Sequence, residues 1–158
     1  CIRDRGFFAR AFCTDELAAH GVSADIVQMN LSGNNHAGIF RGLHYQAAPH
    51  EESKLMRCIR GRSFNVAVDM RPDSPTFTQW FGIELQPVDQ PALVVPDRIA
   101  NGYQAHDDCN QVHYYTTARY APDAERGVRV DDPAIGIELP MPLTSRTDKD
   151  ASWPLLGS

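Results

Sequence analysis

Along residues 63–70, SFNVAVDM, apolar and polar side chains alternate. Phe64, Val66, Val68 and Met70 share one face, with Asn65, Ala67 and Asp69 on the other. That period of two predicts a β-strand with one face against a core. The stretch 78–86, TQWFGIELQ, puts Phe81, Ile83 and Leu85 on one face. The stretch 110–120, NQVHYYTTARY, sets Val112, Tyr114 and Thr116 opposite His113, Tyr115 and Thr117. PALVVP at 91–96 predicts a short buried strand bounded by prolines, and GIFRGLHYQ (38–46) and KLMRCIRG (54–61) predict two more. A helix is expected only in TDELAAHG at 14–21, with Thr14 as cap, Leu17 and Ala18 facing inward and Gly21 as the stop. In PDRIANGYQAH, 96–106, Asn101-Gly102 between apolar runs is a hairpin-turn signal, because both residues tolerate positive φ. The tail from Asp131 is proline-rich and irregular and is expected to wrap the rest. Many short strands separated by Gly, Pro and Asp predict a mainly β fold, a sandwich or jelly-roll barrel with a few short helices.

Composition narrows the class. The 158 residues suffice for one domain with a real core, and no repeat or linker divides them, so a single domain over 1–158 is expected. Hydrophobic content of 42% and charged content of 22% are ordinary for a globular chain. The net charge of -5, with no basic block, argues against nucleic acid as a partner. No apolar run is long enough to span a membrane. Cys1, Cys13, Cys58 and Cys109 show neither Cys-x-x-Cys pairing nor zinc spacing, and are expected as reduced thiols in a cytoplasmic protein.

Polar residues gather most densely in FRGLHYQAAPHEESKLMR, 40–57. Arg41 and His44 are three apart and would face opposite ways in a regular strand; Gly42 allows a bulge that relaxes this. Lys54 opens the next strand and is expected beside His44 across a hairpin. Converging inside a barrel, the three would bind an anion and remove a proton, a task suited to an imidazole with its unperturbed pKa of about 6.5. Taken alone they also fit a surface histidine and two solvated cations. A metal site is not expected: Gln46 stands where a second His of a His-x-His pair would be, and His20, His36, His50, His106 and His113 do not complete one.

RDRGFFAR, FRGLHYQ, KLMRCIRG, VAVDMRPDSPTF, YAPDAERGVRVDDPAIGI and TDKDASWPLL occur in that order. Together they resemble the dTDP-4-dehydrorhamnose 3,5-epimerase family, sugar-nucleotide epimerases of the cupin (double-stranded β-helix) class, across Arg3–Leu156. The family usually has one more N-terminal strand, and the start at Cys1 is expected to be a truncation. The resemblance implies cofactor-independent epimerisation of a dTDP-linked 4-keto-6-deoxyhexose. It implies His44 as base, Asp150 as the carboxylate orienting it, Tyr114 as acid on the opposite face, and Lys54 near the keto oxygen. It implies Arg41, Arg5, Gln28, Asn30, Glu125 and Lys149 as substrate-binding residues, with Arg5 contributed across a homodimer. Asp148 is a competing alignment for Asp150. Phe7, Phe8 and Trp153 are candidates for stacking on the base, or for the core.

The chain also departs from the family. Where relatives read Pro-x-Gly-x-Ala-His-Gly-Phe, it reads PDRIANGY, so Asn101 stands in place of a pocket His and Arg98 in place of a Gly. On this alignment Asn101-Gly102 lies in a strand rather than a turn. Asparagine can donate and accept hydrogen bonds but carries no proton at neutral pH. Arg98 adds a pocket cation if it points inward and is a solvated edge if it points outward. Asn65 replaces a usual Asp, and Gly33, Asn34 and His36 are expected to reshape one rim. These changes leave three expectations open: epimerisation at both C3 and C5, at one of them, or a sugar-nucleotide-binding domain with impaired turnover.

Overall fold

The computed structural model describes residues 10–20, 22, 25–87 and 92–157. Among them, nine strands form two sheets in which every strand pair is antiparallel. One sheet has the order β1-β8-β3-β6, with β1 at Gln28–Asn34, β8 at Asn110–Thr116, β3 at Lys54–Arg60 and β6 at Leu93–Val95. The other has the order β5-β4-β7-β2-β9, with β5 at Trp80–Leu85, β4 at Ser63–Asp69, β7 at Ile99–Ala105, β2 at Phe40–Gln46 and β9 at Glu125–Gly127. The mainly β expectation is met. Two helices add little: α1 at Thr14–Ala19 and α2 at Asp148–Ser152.

The principal core does not lie between the sheets. The expected apolar face of β4 is buried, with Val66 and Val68 fully so, but it packs with Phe40, Leu43 and Ala100 against Val128, Val130 and Ile135 of the C-terminal segment. Ile137, Leu139 and Leu156 extend that cover. The tail is irregular, as its prolines dictate, yet the segment from Val128 onward supplies three of the nine buried residues of this core. A smaller cluster of Met56, Val95, Tyr103 and Val112 joins the two sheets. The other face of β4 is buried as well, where Asn65 is 1% exposed.

Several local expectations change. Cys13, not Thr14, occupies the α1 N-cap without a side-chain bond, and Ala18 is exposed. Phe81 is 56% exposed while Leu85 on the same face is buried. Asn101-Gly102 is no turn: it lies inside β7, with Asn101 opposite Ala67 and Gly102 opposite Val66. The glycine answers a close approach, since a Cβ on Gly102 would lie 2.5 Å from the Arg41 carbonyl oxygen. β2 and β3 are not a hairpin, because they belong to different sheets. Arg98, with φ of 57°, is exposed and among the described residues pairs only with Asp97 at 3.6 Å, so it is the solvated edge.

The loop after β4 is wound around one carboxylate. Asp69 accepts from Arg71 N, Nε and Nη2 (3.0, 2.8 and 2.7 Å), and from the Ser74 and Thr76 hydroxyls at 2.6 Å each. The Arg71 hydrogen bonds hold its carboxyl far below the usual carboxylate range, against burial that pushes it up, with Ser74 and Thr76 assisting. A depressed pKa stabilises the fold fully above the unfolded value of about 3.9 and loses that contribution as pH falls through the folded value. Asp69→Asn is therefore expected to destabilise by about 2–4 kcal/mol at neutral pH in urea unfolding. The gap to the wild type should narrow as pH drops below about 4.

Candidate active site

The bulge predicted at Gly42 is present. The β2–β7 register shifts between Arg41 and His44, and Gly42 has φ of 109°. A Cβ there would lie 2.6 Å from the Asn101 carbonyl oxygen, which favours glycine on steric as well as torsional grounds. The shift lets Arg41 and His44 line the same cleft, of about 300 Å³, between the sheets. A second chamber of about 330 Å³ adjoins it, and His44, Lys54, Tyr114 and Lys149 line both.

His44 Nε2 and Asp150 Oδ1 are 2.6 Å apart, although 106 residues separate them in sequence. Asp150 is 2% exposed and Asp148 lies exposed on the helix surface, so Asp150 is the carboxylate that meets the imidazole. Thr147 caps α2, its hydroxyl accepting from Asp150 N at 3.1 Å, and so fixes where the carboxylate points. Burial pushes the Asp150 carboxyl up, but His44, Thr147 and the Gly42 N–H together hold it below its ordinary value. An ionised Asp150 favours the tautomer in which Nε2 carries the proton, leaving the Nδ1 lone pair free. Glu125 Oε1 lies 3.7 Å from that Nδ1.

Lys54 reaches His44 from the facing sheet. Its Nζ donates to the Asn101 Oδ1 at 2.8 Å and the His44 carbonyl at 3.4 Å, and lies 3.1 Å from Glu52 Oε1. An ammonium has three N–H donors, so these three acceptors occupy all of them. Asn101 Nδ2 is turned to Met56 Sδ at 2.9 Å. The amide therefore presents an acceptor to the cation. Tyr114, on β8, is half-buried. Burial pushes its phenol up, and the nearby Glu52 carboxylate adds to the shift, so it stays protonated at neutral pH.

The remaining expected residues sit around the second chamber or its mouth. Gln28 and Asn30 project from β1 and are joined by a 3.1 Å hydrogen bond. Glu125 accepts from Tyr120 at 2.8 Å and from Lys149. Burial pushes its carboxyl up, but those two hydrogen bonds and His44 hold it below the usual value. Arg41 donates from Nε to Asn34 Oδ1 at 2.7 Å and from Nη2 to the Gly33 carbonyl at 3.1 Å. Among the described residues it is the cation of this cleft that no carboxylate neutralises. Asn34 is buried and reaches the cleft only through Arg41, so neither it nor the exposed His36 lines a chamber. Arg5, Phe7 and Phe8 lie outside the described residues.

Glu52, Thr147 and Tyr120 were not foreseen. Glu52 stands two residues before Lys54, where extended chain would turn both side chains the same way, and that period was the available signal. Trp153 neither stacks in the cleft nor joins the main core; it packs beside His44.

The family profile described as dTDP-4-dehydrorhamnose 3,5-epimerase matches residues 2–158. The dTDP-4-dehydrorhamnose 3,5-epimerase of Sinorhizobium fredii is 38% identical over 153 residues, which covers 96% of this chain and 78% of that one. The crystal structure of the same enzyme from Bacillus anthracis, with TDP and PPi bound, gives a TM-score of 0.91 at 38% identity, covering 97% of this chain and 87% of that one. A dTDP-6-deoxy-D-glucose-3,5-epimerase from Legionella pneumophila, in complex with dTDP-4-keto-L-rhamnose, gives 0.90 at 32% identity over 96% and 81%.

Proposed function

Because the chain belongs to the dTDP-4-dehydrorhamnose 3,5-epimerase family, and so is a sugar-nucleotide isomerase, we propose that it epimerises a dTDP-linked 4-keto-6-deoxyhexose by proton transfer between His44 and Tyr114. The observation that carries this reading is the 2.6 Å His44–Asp150 contact in a cleft that Tyr114 lines from the facing sheet. Hydrogens at C3 and C5 are alpha to the keto group. His44 Nδ1 takes one, the electron pair moves into the carbonyl, and an enolate forms. Tyr114 then returns a proton to the other face, which inverts the carbon. The substrate's own carbonyl is the electron sink, so no cofactor is required. Lys54 stabilises the oxyanion by exchanging its longest contact, the 3.4 Å one to the His44 carbonyl, for the substrate oxygen.

Arg41 is assigned to the diphosphate, since its charge is uncompensated. Arg41→Gln is expected to weaken dTDP binding about 10- to 100-fold by calorimetry. Unchanged affinity would remove Arg41 from the site. Gln28, Asn30, Glu125 and Lys149 would hold the rest of the nucleotide sugar. We further propose a single-domain homodimer of the cytoplasm. Met29 and Leu31, 57% and 62% exposed on β1, offer an apolar face for a second copy, and analytical ultracentrifugation at micromolar concentration tests it.

Incubation with dTDP-4-keto-6-deoxyglucose in D₂O, followed by NMR, tests the activity. Exchange at both C3 and C5 supports the double epimerase and exchange at one the restricted enzyme. No exchange together with tight dTDP binding supports a binding domain with lost turnover. Asn101 favours restriction, because its oxygen is taken by Lys54 and an amide, unlike the histidine of relatives, cannot carry a proton at neutral pH. Asn101→His is accordingly expected to widen or accelerate exchange; an unaltered profile would mean that position 101 is not limiting.

A further inference from the structure

His44 is held on a second side. The indole of Trp153 meets it edge-on, with ring centroids 6.2 Å apart and planes at 62°. Trp153 lies three residues after Asp150, at the C-terminal end of α2. Space for it exists because Gly127, directly opposite His44 in the β2–β9 ladder, has no side chain. A Cβ at 127 would lie 2.4 Å from Trp153 Cε2 and Nε1 and 2.7 Å from the Leu43 carbonyl oxygen. The indole N–H is buried with no hydrogen-bond partner among the described residues. A buried donor without a partner is costly, so the ring is kept there in spite of its nitrogen.

We infer that Trp153 is a positioning residue for His44: the Asp150 carboxylate fixes the imidazole's tautomer, and the indole edge fixes its plane. A single hydrogen bond at Nε2 leaves the ring free to turn about that bond, and a turn carries Nδ1 away from the carbon-bound hydrogen it must reach. Proton transfer is sensitive to such displacement, where an error of about 1 Å costs on the order of 10²-fold. Two side chains three residues apart in the C-terminal segment thus set both coordinates of the base. The inference rests on His44 being that base.

The test uses the full chain with Trp80→Phe, which leaves Trp153 as the only indole, since the sequence has two tryptophans. The emission of Trp153 then reports its contact with the imidazole, and His44→Gln is expected to change its intensity. In the Trp80-containing protein, Trp153→Ala is expected to lower kcat for solvent exchange about 10- to 100-fold, with KM and dTDP affinity held within about twofold. Trp153→Phe should restore most of the rate. Gly127→Ala, which displaces the ring without removing it, should reproduce the kcat loss. Wild-type kcat in both Trp153→Ala and Gly127→Ala overturns the positioning role. So does a parallel loss of kcat, dTDP affinity and Tm that Trp153→Phe does not relieve. Exchange retained in a His44 variant instead removes the base, a failure that the change in Trp153 emission does not share.

Discussion

His44→Ala is expected to abolish solvent exchange at both C3 and C5 of the sugar, by roughly 10³-fold or more. Among the described residues of the cleft, His44 is the imidazole with a buried carboxylate behind it. Its removal also leaves Asp150, 2% exposed, with a buried charge that keeps the Gly42 N–H at 3.4 Å and its helix cap but loses its imidazole partner. Unpaired buried charge destabilises by several kcal/mol. His44→Gln separates the two effects, since its amide can still donate to Asp150 but cannot accept a proton at neutral pH. Both variants should bind dTDP, and only loss of exchange is diagnostic. Free imidazole supplied to His44→Ala should recover part of the rate through the space vacated. Undiminished exchange in His44→Gln would remove His44 as the base.

Tyr114→Phe should separate two events that the wild type performs together. With the acid gone, inversion is expected to fall about 10²- to 10⁴-fold. His44 still removes a proton and can return a deuteron to the same face, so exchange with retention should persist. The readout is deuterium entering the starting sugar while no epimer accumulates. Since burial raises the phenol above its ordinary value, the wild-type inversion rate should show no loss of this acid up to about pH 10. Parallel loss of exchange and inversion would mean that Tyr114 acts on substrate binding instead.

The strands with an apolar inner face were legible in the sequence, as β4 and β8 illustrate. β1 was not, and the reason is physical. Its alternation is inverted: Gln28 and Asn30 turn toward the chamber, while Met29 and Leu31 face out. A strand that lines a polar site beside a free apolar face defeats the rule that apolar means inside. Asn101-Gly102 misled for a related reason. Glycine served a close approach between β7 and the β2 bulge, a requirement that no local window contains. The expected pairing of Lys54 with His44 held, but across the sheets rather than along a hairpin. Ten of the eleven residues expected at the site line the two chambers; the eleventh, Arg5, lies outside the described residues. Glu52 remained hidden because its meaning depends on Lys54 being buried, and burial comes only with the fold.

The tail that covers the five-stranded sheet also carries Asp150. Val128, Val130 and Ile135 close the larger core, and the carboxylate follows only after them in the chain. Leu156 N then donates to the buried Asp132 at 2.7 Å, tying the last turn back to its beginning. A growing chain has His44 more than a hundred residues before it has the carboxylate that meets it, so a chain stopped short of this segment lacks both the seal of the larger core and the partner of the imidazole.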